Sequence, residues 1–150
     1  MTTGNNEKSK GHIVVGVDGS ESSKTALRWA DRLSTVVGSG IHAIIAWQNP
    51  MMLGWEGSIP DWWRPDADAN KILEDTLDSV FGKTRPAGLI TTVQEGHPTT
   101  ILLEASKNAD MLMVGSRGHG GFAGLLLGSV SSACAEHASC PVLVVHGEKN

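Results

Sequence analysis

The sequence predicts an α/β fold, an open parallel sheet with helices on both faces. Short apolar, β-branched runs alternate with stretches of helical periodicity from residue 12 to residue 146. Strands that alternate with helices run parallel and are covered on both sides. No Pro/Ser-rich or charged linker divides the 150 residues, so one core serves the chain. The expectation is a single domain over 11–147, with a flexible tail at 1–10 and a short tail at 148–150.

His12 to Val17 is β-branched and reads as the first strand, ending at the turn Asp18-Gly19-Ser20. In the helix that follows, Leu27, Ala30, Leu33 and Val37 form one stripe expected to face the core. Ser20 is a good N-cap for it and Gly38 a good stop. Ile41 to Trp47 is the second strand. The loop after it, Gln48 to about Ala67, contains Pro50, Gly54, Gly57, Pro60 and Pro65 and carries Trp55, Trp62 and Trp63. Loops of that length are functional lids or disordered segments. Two roles are open for its tryptophans: packing over the helix layer, or covering a bound base.

Ile72, Leu73, Thr76, Leu77 and Val80 mark the second helix. Leu89 to Val93 is the third strand, and Pro98 to Lys107 the third helix, with proline near its start. Met111 to Gly115 is the fourth strand, Ser129 to about Ala138 the fourth helix, and Pro141 to His146 the fifth strand.

Composition removes several classes of function. The formal net charge is −4 and the basic residues are scattered, which predicts neither a nucleic-acid nor an anionic-membrane partner. Ile13 to Val17 is too short for a signal-peptide core or a transmembrane helix, so the expected location is the cytoplasm. Cys134 and Cys140 suit neither a redox pair nor a zinc site and read as buried small hydrophobes. The six histidines, at 12, 42, 97, 119, 137 and 146, lack paired ligand spacing, which predicts no protein-built metal site.

In an open parallel sheet the ligand lies beyond the carboxyl ends of the strands, where connections diverge to opposite faces. Gly115-Ser116-Arg117-Gly118, then nine residues, then Gly128-Ser129, lies between the fourth strand and the fourth helix. Glycine lets backbone N–H groups approach a ligand, and Gly128 places the amides of Ser129, Val130 and Ser131 at a helix N-terminus, an anion site. If the first and fourth strands are neighbours, Asp18 faces this loop. Beside phosphates a lone carboxylate suits a ribose hydroxyl or a shared Mg2+ ion, and the pairing predicts a nucleotide. The alternative for Asp18 is a turn or helix-capping residue. Gly118 to Ala123 fits a dinucleotide fingerprint, but only Glu136, inside the next helix, stands near the acidic position that fingerprint needs. Gly128-Ser129 lacks the lysine of a Walker loop.

Four segments together resemble the universal stress proteins, in the branch that binds ATP. They are Val14-Val15-Gly16-Val17-Asp18-Gly19-Ser20-Glu21, Gly96-His97-Pro98, Gly115-x2-Gly118-x9-Gly128-Ser129, and Cys140-Pro141-Val142-Leu143-Val144-Val145. The resemblance implies a five-stranded parallel sheet in the order 3-2-1-4-5, of the adenine nucleotide α-hydrolase-like kind. It places Gly16, Val17 and Asp18 at the ribose and adenine side, with the backbone of Ile41 near the base. It places Val114, Gly115, Arg117 and Gly118 over the ribose and α-phosphate, and Gly128, Ser129, Val130 and Ser131 around the β- and γ-phosphates. The tryptophan loop has no fixed counterpart in the family.

The implied ligands are ATP and Mg2+, and the implied role is nucleotide-dependent regulation in stress adaptation. Several charge-assisted hydrogen bonds, each worth about 1.5 to 3 kcal/mol, suffice for binding without a lysine. Hydrolysis needs a group that orients water and stabilises the transferred phosphoryl. Between Met111 and Ala135 there is no carboxylate, and the basic side chains are Arg117 and His119. Turnover is expected to be slow or absent; a slow ATP hydrolase or phosphotransferase, and a scaffold for cyclic AMP or AMP, are the alternatives. In the implied order the fifth strand is an edge, apolar on both faces. Val142 to His146 is therefore expected to pair antiparallel with a second copy in a homodimer.

Overall fold

A computed structural model describes residues 11–50, 60, 62–117 and 127–147. Among these, strands and helices alternate: β1 (His12–Gly16), α1 (Glu21–Val37), β2 (Gly40–Trp47), α2 (Pro65–Phe81), β3 (Ile90–Glu95), α3 (Pro98–Ser106), β4 (Met111–Gly115), α4 (Ser129–His137) and β5 (Val142–Val145). The strands form one sheet in the order β3-β2-β1-β4-β5, and every pairing is parallel.

Side chains alternate across each strand, so the sheet builds two apolar layers. Ile13, Val15 and Met113 meet Ala26, Leu27 and Ala30 of α1 and Leu73 and Leu77 of α2 on one face. Val14, Ile44 and Leu112 meet Ile101 and Leu102 of α3 and Cys134 of α4 on the other.

Local chemistry sets where the helices begin. Ser20 is extended, and its hydroxyl accepts the Ser23 N–H at 3.2 Å, capping α1. His97 caps α3 by accepting the Thr99 N–H on Nδ1 at 3.1 Å, with Pro98 in the first turn. This gives Gly96-His97-Pro98 a structural use.

Several expectations need correction. Val37 is 50% exposed and Val36 more so, so the α1 stripe is not core to its end. The 17 residues of α1 span about 26 Å and the five of β1 about 17 Å, so the helix outruns that strand. Pro65 opens α2 in its first turn, so the loop ends before Ala67. Strand β3 runs on to Glu95, and α3 ends at Ser106 with Lys107 as its cap. Trp62 is 82% exposed and does not cover the helix layer. Trp63 donates its indole N–H to Asp68 Oδ2 at 3.2 Å, at the start of α2. Trp55, both tails, Gly118 and His119 lie outside the described residues.

Candidate functional site

The neighbours β1 and β4 send their following connections to opposite faces. The chain leaving β1 enters α1 on the first layer, and the chain leaving β4 reaches α4 on the second. Their ladder runs from Ile13↔Met111 to Val15↔Met113. Beyond it the connections diverge, with Gly16-Val17-Asp18 on one side and Gly115-Ser116-Arg117 on the other, the place where a sheet of this kind forms its ligand crevice.

The first wall is braced by its own turn. Asp18 Oδ1 accepts the Ser20 N–H at 2.9 Å and the Ser20 hydroxyl at 2.5 Å, across Gly19 at φ 83°. One carboxylate oxygen thus performs the turn role open to this residue.

The second wall is gripped from both sides. Ser116 donates its N–H to the Val145 carbonyl at 2.7 Å, and its own carbonyl accepts the Gly128 N–H at 2.6 Å. The Ser131 hydroxyl donates to the same carbonyl at 2.9 Å. Residues 116 and 128 are therefore pinned together. From α1, the Ser22 hydroxyl donates to the Arg117 carbonyl at 2.6 Å. Gly115 lies against that serine so closely that a Cβ would collide with Ser22 Oγ and reach its backbone carbon at 2.9 Å.

Helix α4 begins at Gly128 with no side chain of the described residues capping it. The Ser132 N–H closes the first turn on the Gly128 carbonyl at 2.9 Å. The amides of Ser129, Val130 and Ser131 precede that bond, so they have no intrahelical acceptor and carry the positive end of the helix dipole. An anion in the crevice would meet them. Deeper in α4, burial, and then neighbouring Cys140, pushes the Cys134 thiol up to about 11, so it is protonated and inert at neutral pH.

The fold brings Gly16, Val17, Asp18, Val114, Gly115, Arg117, Gly128, Ser129, Val130 and Ser131 to one edge of the sheet. Val17 and Val114 are buried and offer only backbone there. Ser131 is 2% exposed as a whole residue, with its hydroxyl turned inward to the Ser116 carbonyl, so Ser129 is the exposed residue of this first turn.

Ile41 does not join this group. It pairs with Ile13 at the amino end of the strands, while the Val17 N–H meets the Ile44 carbonyl at 2.8 Å. Three residues of strand, about 10 Å, separate Ile41 from the level of the crevice. The carboxyl end of β2 is Ala46 and Trp47, and the Trp47 carbonyl accepts the Gly96 N–H at 2.8 Å. Sequence reasoning also missed the hydroxyls of Ser20, Ser22 and Ser131 as braces. The run Ser20-Glu21-Ser22-Ser23 at a helix start was the available signal.

Among the described residues no group of three or more His, Cys, Asp or Glu could hold a metal ion. Asp18 alone fits Mg2+ only where phosphate oxygens supply the other ligands. Also among the described residues, no helix is long and apolar enough to cross a membrane.

Residues 10–146 match the universal stress protein family. Universal stress protein Rv2623 of Mycobacterium tuberculosis is 34% identical over 158 residues, covering 99% of this chain and 50% of its own length. A universal stress protein of Mycolicibacterium smegmatis is 33% identical over 149 residues, covering 91% of this chain and 48% of its own. The chain thus spans about half the length of these curated relatives. Among solved structures, universal stress protein UspA from Lactobacillus plantarum superposes with TM-score 0.70 at 20% identity, over 91% of this chain and 98% of that one. A universal stress protein in complex with cAMP gives 0.67 at 24%, over 94% and 100%. Sheet order, crevice and family match agree, and the chain belongs to the universal stress protein family.

Proposed function

We propose that the chain binds ATP in the crevice between β1 and β4 and acts as a nucleotide-dependent regulator in stress adaptation. The observation that carries this reading is the start of α4: three first-turn amides behind a glycine cap, at the same edge as Asp18. Gly16 to Asp18 and the carboxyl end of β2 would flank the base and ribose. Val114, Gly115 and Arg117 would lie over the ribose and α-phosphate, and Gly128 to Ser131 around the terminal phosphates. Mg2+ would arrive with the nucleotide, with Asp18 as its one protein carboxylate. No general base is assigned, so turnover is slow or absent. The solved relative in complex with cAMP favours a second reading, in which the same crevice takes cyclic AMP or AMP.

Titration calorimetry with ATP, ADP, AMP and cyclic AMP decides between the two. ATP should bind at micromolar levels and outcompete the monophosphates, whereas cyclic AMP binding tighter than ATP selects the second reading. Gly128 has φ −74°, which any residue adopts. Gly128→Asp should therefore cap α4, keep the fold, and repel phosphate. Retention of ATP binding in that variant would remove α4 from the site. We also propose a cytoplasmic homodimer joined through the edge Val142 to His146. A sedimentation mass of one chain at tens of micromolar counts against the dimer.

A further inference from the structure

We propose that Ser22 is a positioning residue: its hydroxyl ties the two walls of the crevice together and sets the phosphate-binding wall for its ligand. The inference rests on the nucleotide reading above and adds to it a residue that contacts no nucleotide atom. Strands β1 and β4 pair only as far as Val15↔Met113, and the connections after them leave on opposite faces. Past that point Ser22 bridges the gap. It is 7% exposed, and its Oγ donates to the Arg117 carbonyl at 2.6 Å, a contact between residues 95 positions apart.

The bond is part of a chain of hydroxyls. Ser22 Oγ lies 3.3 Å from Ser20 Oγ, which donates to Asp18 Oδ1 at 2.5 Å. Asp18, Ser20, Ser22 and the Arg117 carbonyl thus form one continuous line from the β1 turn to the end of β4. One glycine leaves room for it: a side chain at Gly115 would strike Ser22. A Cβ at Gly147, just past β5, would make ordinary contact with the Ser22 backbone nitrogen at 3.4 Å. The end of β4 and the residues after β5 both pack on this one serine.

Orientation of Arg117 and of the backbone after Gly115 follows from that tie. With the hydroxyl removed, the Arg117 carbonyl loses its short bond and keeps the longer one from Ser20 Oγ at 3.4 Å, so the end of the β4 wall beyond the pinned Ser116 loosens against β1. The loss should fall on the phosphates, which that wall faces. The base, bounded by β1 and the end of β2, should be spared, and the nucleoside, which meets that wall through its ribose alone, should lose less than ATP.

Calorimetry of Ser22→Ala with ATP and with adenosine tests this. ATP affinity should fall about tenfold, the scale of one well-made hydrogen bond, and adenosine affinity by no more than about twofold. Equal ATP affinity in wild type and variant overturns the positioning role, and so does an equal loss for ATP and adenosine, which marks a merely structural serine. If the wild type binds neither ligand, the nucleotide reading itself falls and this inference with it. Should Ser22→Ala fail to fold, near-isosteric Ser22→Cys, a weak donor, takes its place: a loss greater for ATP than for adenosine supports the role, and no loss or an equal loss overturns it.

Discussion

The two ends of the sheet use their polar groups in different ways. At the amino end, side chains answer one another. His42 Nε2 lies 2.7 Å from Thr92 Oγ1, the His12 ring meets His42 edge-on at 6.2 Å, and the Ser39 hydroxyl donates to Asp110 Oδ2 at 2.5 Å. At the carboxyl end, the Ser20–Asp18 pair is joined by hydroxyls, those of Ser22 and Ser131, that hold backbone carbonyls. Side-chain pairs close an edge, because each partner satisfies the other. Grips on the backbone fix a wall and leave amides, such as those opening α4, for a ligand.

One substitution made at both ends should break that symmetry most strongly. In Gly115→Ala the new methyl meets Ser22, including its backbone, which cannot swing aside. We expect a loss of about 3 kcal/mol in chemical denaturation, at the upper end for overpacking, together with loss of nucleotide binding. In Gly11→Ala the three atoms nearest the methyl all belong to the Asp110 carboxylate, the far end of a side chain. That carboxylate can rotate away, giving up its bond to Ser39 at a cost of about 1 kcal/mol and leaving binding intact. Equal losses at the two positions would contradict the distinction.

Acid should act on the amino end alone. Burial, and then the charge of neighbouring His12, pushes the His42 pKa below its ordinary value. Below about pH 6.5 the unfolded chain takes up a proton there that the folded chain resists. The contribution of His42 is therefore complete above that pH, declines as pH falls toward its depressed folded value, and levels off beneath it. Denaturation midpoints at pH 7.5 and pH 5.5 (~2 pH units spanning the ordinary histidine pKa) should differ more in wild type than in His42→Gln. Nucleotide affinity of the folded protein should not follow that difference.

The strands and their alternation with helices were legible in the sequence, because apolar periodicity and turn residues report on local structure. Ile41 was legible as misplaced for the same reason: in a parallel sheet with its ligand at the carboxyl ends, the start of a strand lies far from it. Resemblance to a family carried that residue to the site where strand direction argued against it. The grips of Ser22 on Arg117 and of Ser131 on Ser116 were not legible. A serine hydroxyl near a helix start caps locally by default, and only the tertiary arrangement decides which distant carbonyl it reaches. The exposure of Val37 depends on the length of a helix relative to the strands beneath it, which the spacing of one stripe does not reveal.

The two cysteines offer the finest probe, since they are neighbours that belong to different segments. Cys134 belongs to α4, whose start is the proposed anion site, while Cys140 precedes β5 near Asp110 at the amino end. Burial raises both thiols, Cys134 to about 11, where about one molecule in a thousand is thiolate at pH 8. Labelling of Cys134 by a thiol reagent therefore requires α4 to open, whereas the half-buried Cys140 needs a smaller excursion. A nucleotide held by the first turn of α4 binds the closed helix and opposes that opening. Saturating ATP should slow Cys134 labelling several-fold and leave Cys140 within about a factor of two, a split that peptide mapping reads directly. Equal protection of both would mean that the ligand stabilises the whole domain rather than one end of its sheet.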